Sequence, residues 1–103
     1  MKYNVIEIWE KRYGKKAEVF DYAGRKMMKS ACGNKNSSYE PTMDHIRPLA
    51  KGGTDTIDNI VLCNWETNQE KADKFPHWVA NNKHFKAEKT SNRSKSYNIV
   101  QDV

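Results

Sequence analysis

Asp44 and His45 are neighbours, and two asparagines follow them: Asn59 fourteen residues after His45, and Asn68 nine residues after Asn59. A carboxylate can bind a hard divalent cation, and an imidazole can take a proton from a water beside it. An adjacent aspartate and histidine can therefore serve two tasks at one site. On a strand, neighbouring side chains point to opposite faces, so the pair converges only in part unless the strand bends. Taken alone, such a pair is more often two surface residues than a reaction centre.

The wider stretch is more informative. It runs Asp44-His45-Ile46-Arg47-Pro48-Leu49-Ala50-Lys51-Gly52-Gly53, then Asp58-Asn59-Ile60-Val61-Leu62, then Asn68-Gln69-Glu70-Lys71. This sequence resembles the HNH endonucleases, in the subgroup whose third motif letter is asparagine. Its spacings are similar to those of the nicking domain of RNA-guided CRISPR nucleases, and its flanks to those of stand-alone bacterial and phage HNH proteins. The resemblance implies an α+β fold with a ββα-metal (His-Me finger) core at about residues 41–75; the length of 103 residues predicts a single domain, residues 1–103. It also implies a DNA endonuclease with a one-metal mechanism. His45 would be the general base and Asp44 a metal ligand. Asn59 would hold the His45 ring in one tautomer, and Asn68 would be the second protein ligand. Lys71, one helical turn on, would approach a phosphate.

Chemistry agrees with those roles. Phosphodiester hydrolysis must stabilise charge on the phosphoryl oxygens and on the leaving oxygen, and a divalent cation does both. Two protein oxygens leave room for water, which suits Mg²⁺, with Mn²⁺ accepted. An amide in place of a third-letter imidazole moves the preference away from softer metals. Many members of the family carry two Cys-x-x-Cys pairs that hold a structural zinc. Here Cys32 and Cys63 have no such partners, so no structural zinc is expected and both should be reduced thiols. Packing of Trp9, Trp65 and Trp78 would take its place.

The elements that must position these residues can be sketched from pattern. Apolar residues between Tyr3 and Tyr13 recur at helical spacing, and Gly14 is a natural stop. The spacing predicts a helix docked through Ile6, Trp9 and Tyr13. Gly24 suggests a hairpin, Glu18–Tyr22 then Arg25–Cys32, with a helix as the other reading. Residues 33–38 read as a loop. Thr42–Arg47 reads as an extended piece ended by Pro48, and residues 50–59 as a loop shaped by Gly52-Gly53. Ile60–Cys63 reads as a buried strand. Asn64 should cap a helix that runs through Lys74 and stops at Pro76. Beyond it, Asn81-Asn82 predicts a tight hairpin turn, and residues 90–96 read as a mobile polar segment.

The net charge is +5 and is unevenly spread: +4 over residues 1–43, −2 over 44–76 and +3 over 77–103. Basic flanks around an acidic centre suit a chain that grips a polyanion and holds a cation in the middle. Lys83, Lys86, Lys89, Arg93 and Lys95 form the clearest basic stretch, in an extension over residues 77–103. With Lys74 they could track a duplex DNA backbone without reading its sequence. Arg47 suits either DNA or a pairing with Asp58. His77 and His84 read as surface residues. No apolar run approaches the length of a membrane span and no signal-peptide core is present, so a cytoplasmic protein, monomeric or homodimeric, is expected. A phage or mobile-element setting matches the family flanks. The alternatives are a non-catalytic DNA-binding module on the same scaffold, and an RNase or toxin nuclease.

Overall fold

The computed structural model describes residues 3–102; Met1, Lys2 and Val103, the ends of the expected domain, lie outside them. The order is helix α1 (Val5–Tyr13), strands β1 (Glu18–Phe20) and β2 (Lys26–Met28), strand β3 (Pro41–His45), strand β4 (Ile60–Asn64), helix α2 (Trp65–Lys71), and strands β5 (His77–Ala80), β6 (Lys83–Lys89) and β7 (Tyr97–Gln101). Three separate antiparallel sheets result: β1-β2, β3-β4 and β5-β6-β7. The class is α+β.

Each element starts and stops for local reasons. The Asn4 side chain accepts the Glu7 N–H at 2.9 Å, closing the open first turn of α1. Gly14, at φ +61°, ends it and returns its own N–H to the Glu10 carbonyl at 3.0 Å. Asn64 caps α2 by accepting the Glu66 N–H, and its amide donates to the Lys26 and Ser38 carbonyls. The turn between β5 and β6 carries Asn81 and Asn82 at φ +50° and +60°, the left-handed pair that a two-residue hairpin demands.

Four expectations need correction. The helix α1 docks through Trp9 with Tyr13 packed beside it, as expected, but the third anchor is Ile8, which is fully buried, and not Ile6, which is exposed. Helix α2 ends at Lys71 and not Lys74, because Ala72 turns into the left-handed region (φ +51°) and caps on the Asn68 carbonyl. Trp65 is only half-buried and belongs to neither apolar cluster. Its indole N–H reaches the Ser38 carbonyl at 3.2 Å. Finally, residues 90–96 are the turn into a strand absent from the expectation, β7; the Thr90 N–H meets the Ser96 carbonyl at 3.1 Å.

Burial divides between two clusters. Ile8, Trp9, Met27, Ile60 and Leu62 pack α1 against the β3-β4 pair. Ala23, Trp78, Ala80 and Phe85 pack the β1-β2 turn against the C-terminal sheet. Asp21 links them: one carboxylate oxygen accepts the Ala23 and Arg25 N–H groups, and the other accepts Asn64 N–H at 3.0 Å. That buried carboxylate is fully satisfied and fixes the β1-β2 turn onto the junction between β4 and α2.

Candidate active site

Register decides which residues can meet. Within the β3-β4 pair, Met43 lies opposite Leu62, Asp44 opposite Val61 and His45 opposite Ile60. The face of Met43 and Leu62 belongs to the apolar cluster under α1. Thr42 and Asp44 therefore look the other way, toward α2. Along that face α2 sets its turns against successive strand residues. The Asn68 amide donates to Thr42 Oγ1 at 3.0 Å and to the Met43 carbonyl at 3.3 Å. Lys71, one turn later, stands 2.9 Å from Asp44 Oδ2 and donates to the His45 carbonyl at 3.2 Å.

This arrangement brings Asp44 and Asn68 onto one face and leaves acceptor oxygens there. Both N–H groups of the Asn68 amide are spent on β3, and no hydrogen bond reaches its Oδ1 among the described residues. Asp44 Oδ2 is buried and lacks a hydrogen bond of good geometry; the Lys71 ammonium balances its charge without completing one. Burial pushes the Asp44 carboxyl above its usual range, while Lys71 and His45 pull it back. An underserved buried carboxylate oxygen and an amide oxygen on the same face of β3 are hard donors, the kind that suits a cation that keeps most of its water. Among the described residues, no group of three or more His, Cys, Asp or Glu side chains could hold a metal ion. Any ion here must rest on this smaller set.

Lys71 corrects an expectation. Its side chain is fully buried, and the ammonium also sits 5.1 Å from the centre of the Trp78 ring. It cannot reach out to a phosphate from there. A lone buried ammonium is very costly; the Asp44 carboxylate, the His45 carbonyl and the face of an indole offset that cost.

His45 ends β3 and turns to the following loop. Its Nε2 lies 2.9 Å from Asp55 Oδ1, a partner the sequence reading missed. Asn59, fully buried, makes no hydrogen bond to the ring among the described residues. Its side chain accepts the Arg47 N–H at 3.0 Å and donates to the Arg47 and Thr54 carbonyls at 3.0 and 2.8 Å. Its own carbonyl accepts the Ile46 N–H at 2.8 Å. Asn59 thus fastens both ends of the loop that carries Asp55. The loop is tight enough to require glycine: a Cβ on Gly53 would lie 1.8 Å from the Arg47 carbonyl oxygen. The Asp55 signal was present in sequence, an acidic residue beside Gly52-Gly53 and ten positions after the histidine, but only the loop's path shows that it returns.

Residues 30–74 match the family model for HNH endonucleases. The match covers 45 of the 103 residues, and this stretch is similar to the HNH endonucleases. The HNH segment covers β3, β4 and α2, and with them Asp44, His45, Asp55, Asn59, Asn68 and Lys71. HNH nuclease domains act on DNA and generally use a divalent metal. No curated protein and no solved structure matches the chain.

The other candidates scatter. Arg47 does not pair with Asp58: its guanidinium donates to the Lys51 carbonyl at 2.7 Å and to the Tyr97 hydroxyl at 3.1 Å, and Asp58 accepts from Thr56 and Ser96. Lys83 turns inward to the Ala23 carbonyl, Lys86 pairs with Glu88, and Lys74 reaches the Glu70 carbonyl at 3.4 Å. Lys89 is exposed. Cys63 is buried and its thiol is pushed up by burial, which holds it protonated; Cys32 is half-buried. No helix among the described residues is long and apolar enough to cross a membrane.

Proposed function

We propose that this protein is a metal-dependent DNA endonuclease whose reaction centre is a ββα-metal core made of β3, β4 and α2. What carries the reading is the shared face of Asp44 and Asn68, with a buried carboxylate oxygen that only the Lys71 ammonium serves and an amide oxygen with no hydrogen bond among the described residues, next to a histidine held by a carboxylate. Asp44 and Asn68 would hold one divalent cation, Mg²⁺ by the hardness of its donors. When bound, that ion supplies positive charge for the phosphoryl and leaving oxygens.

The chain's own residues do the rest. Asp55 on Nε2 favours the tautomer with the proton there. Nδ1 then keeps its lone pair and takes a proton from a water directed at the scissile phosphate. Asn59 keeps the base at the right place by pinning the loop from which Asp55 reaches it. Lys71 holds the Asp44 carboxylate toward α2 and balances its charge until a cation arrives. The exposed cations of the C-terminal extension, Lys89, Arg93 and Lys95, would meet the DNA backbone.

Incubation of supercoiled plasmid with the protein and Mg²⁺ or Mn²⁺ tests this reading, with His45→Ala and a chelator as controls. Nicked or linear product is expected from the wild type alone. Equal survival of plasmid with wild type and His45→Ala, across metals and substrates, overturns it. Binding to DNA that is unchanged by chelation, without cleavage, would mark a non-catalytic module instead.

A further inference from the structure

We infer that the turn between β6 and β7 closes with the HNH loop over a cationic cleft, and that this cleft binds a backbone phosphate of the nucleic-acid substrate next to the scissile one. The inference rests on the nuclease reading for the identity of the ligand, but on different residues. A cavity of about 230 Å³ is lined by Arg47, Gly52, Gly53 and Thr54 from the loop and by Lys89, Ser94, Lys95 and Tyr97 from the C-terminal sheet. Three lining residues are cations and none is an acid. Ser94, Thr54 and Tyr97 add hydroxyl groups, and Gly52-Gly53 lets the backbone come close.

Arg47 is the organising residue. Its guanidinium is braced by the Lys51 carbonyl, the Tyr97 hydroxyl and the Phe75 ring, 5.5 Å away. Its Nη2 has no hydrogen-bond partner among the described residues. A guanidinium already fixed in place, with an N–H to spare, suits an oxyanion better than a loose lysine does. The Asp58 carboxylate accepts from the Ser96 and Thr56 hydroxyls, keeps its charge, and is not part of the cleft's lining. Arg47 is two residues from His45 and Thr54 is next to Asp55, which sets the cleft beside the reaction centre along the chain that forms it.

The test is equilibrium binding of a fluorescent DNA duplex in chelator, measured over a range of salt. Wild type is compared with Lys89→Gln/Lys95→Gln and with Lys11→Gln/Lys15→Gln, a pair of equal charge change outside the cleft. Lys89 and Lys95 are exposed and serve no packing role, so both variants should fold. The cleft pair is expected to weaken binding by at least several-fold and to flatten the dependence of log affinity on log salt by about 1 to 2 units; the control pair should change both much less. Equal effects from the two pairs, or none from the cleft pair, overturn the inference. Inorganic phosphate that is bound by wild type and lost by the cleft pair, with duplex affinity the same in both, also overturns it, by assigning the cleft to a free anion. Plasmid cleavage on the same preparations separates the two readings. A wild type that cuts while the cleft pair binds DNA normally sinks only the cleft. An inert wild type whose cleft pair loses DNA sinks only the nuclease.

Discussion

Between β3 and α2 the protein buries a carboxylate, an ammonium and an amide; in the C-terminal sheet it buries rings. Asp44, Lys71 and Asn59 are held by specific polar partners, whereas Trp78, Phe85 and Tyr22 meet edge-on or stacked around small alanines. Rings in a sheet need only volume and shape, and are worth little to chemistry. Buried charges have one acceptable arrangement each and are costly when it is broken. Asp21 apart, the buried charged side chains fall in the segment where the reaction would be, while the other region rests chiefly on rings. The two regions meet, among other places, at Lys71 under Trp78, Arg47 on Tyr97, Asp58 on Ser96, and Glu70 on the β5-β6 turn.

The largest effect should come from the polar region. His45→Ala is expected to lower cleavage by roughly 10²- to 10⁴-fold with the circular dichroism spectrum unchanged; an activity loss matched by unfolding would erase the contrast. Next, Lys71→Met leaves the Asp44 carboxylate buried and unbalanced, and should cost about 3–5 kcal/mol of stability in urea denaturation. Asp44→Asn/Lys71→Met together should recover much of it. A double variant as unstable as the single one would show that Lys71 acts through packing under Trp78, as a member of the aromatic region.

How much of this was readable beforehand follows the same divide. The HNH segment was legible because its chemistry needs particular residue types at particular intervals, so Asp44, His45, Asn59 and Asn68 stood out by identity. Lys71 was visible as a charge, but its burial was not, since a lysine on a seven-residue helix reads as surface unless the strand beneath it is known. Asp55 was hidden because its meeting with His45 depends on a loop path set by Gly53 and Asn59. The strand β7 had no alternation clear enough to announce it; Tyr97 is buried by Phe75 and Arg47, contacts that come from distant parts of the chain.

Smaller effects sharpen the comparison. Asp55→Asn should reduce kcat by roughly 10- to 100-fold, the range for outer partners that orient a functional histidine, and leave KM for plasmid near its wild-type value. Nitrogen-15 shifts of the His45 ring should report a change in tautomer population; a KM effect without a tautomer change would demote Asp55 to loop support. Tyr97→Phe removes one hydrogen bond from Arg47 across the boundary and should cost about 1 kcal/mol by urea denaturation. Smallest is Glu70, whose carboxyl is held below its usual range by the Asn81 N–H and by Arg25. A lowered carboxyl adds stability above its ordinary value of 4.5, and this is lost as pH falls through the folded value. The thermal midpoints of wild type and Glu70→Gln should therefore differ slightly at pH 6 and converge in acid; a gap that persists in acid would mean a packing effect.

The central claim is that two oxygens from β3 and α2 share one cation. Crystals grown or soaked with Mn²⁺ and measured at an energy where manganese scatters anomalously test it most directly. The account predicts one strong peak between the Asp44 carboxylate and the Asn68 amide oxygen, lost in Asp44→Ala. A peak elsewhere, or an empty space between those two side chains with Lys71 still bound to Asp44 at saturating metal, would contradict it.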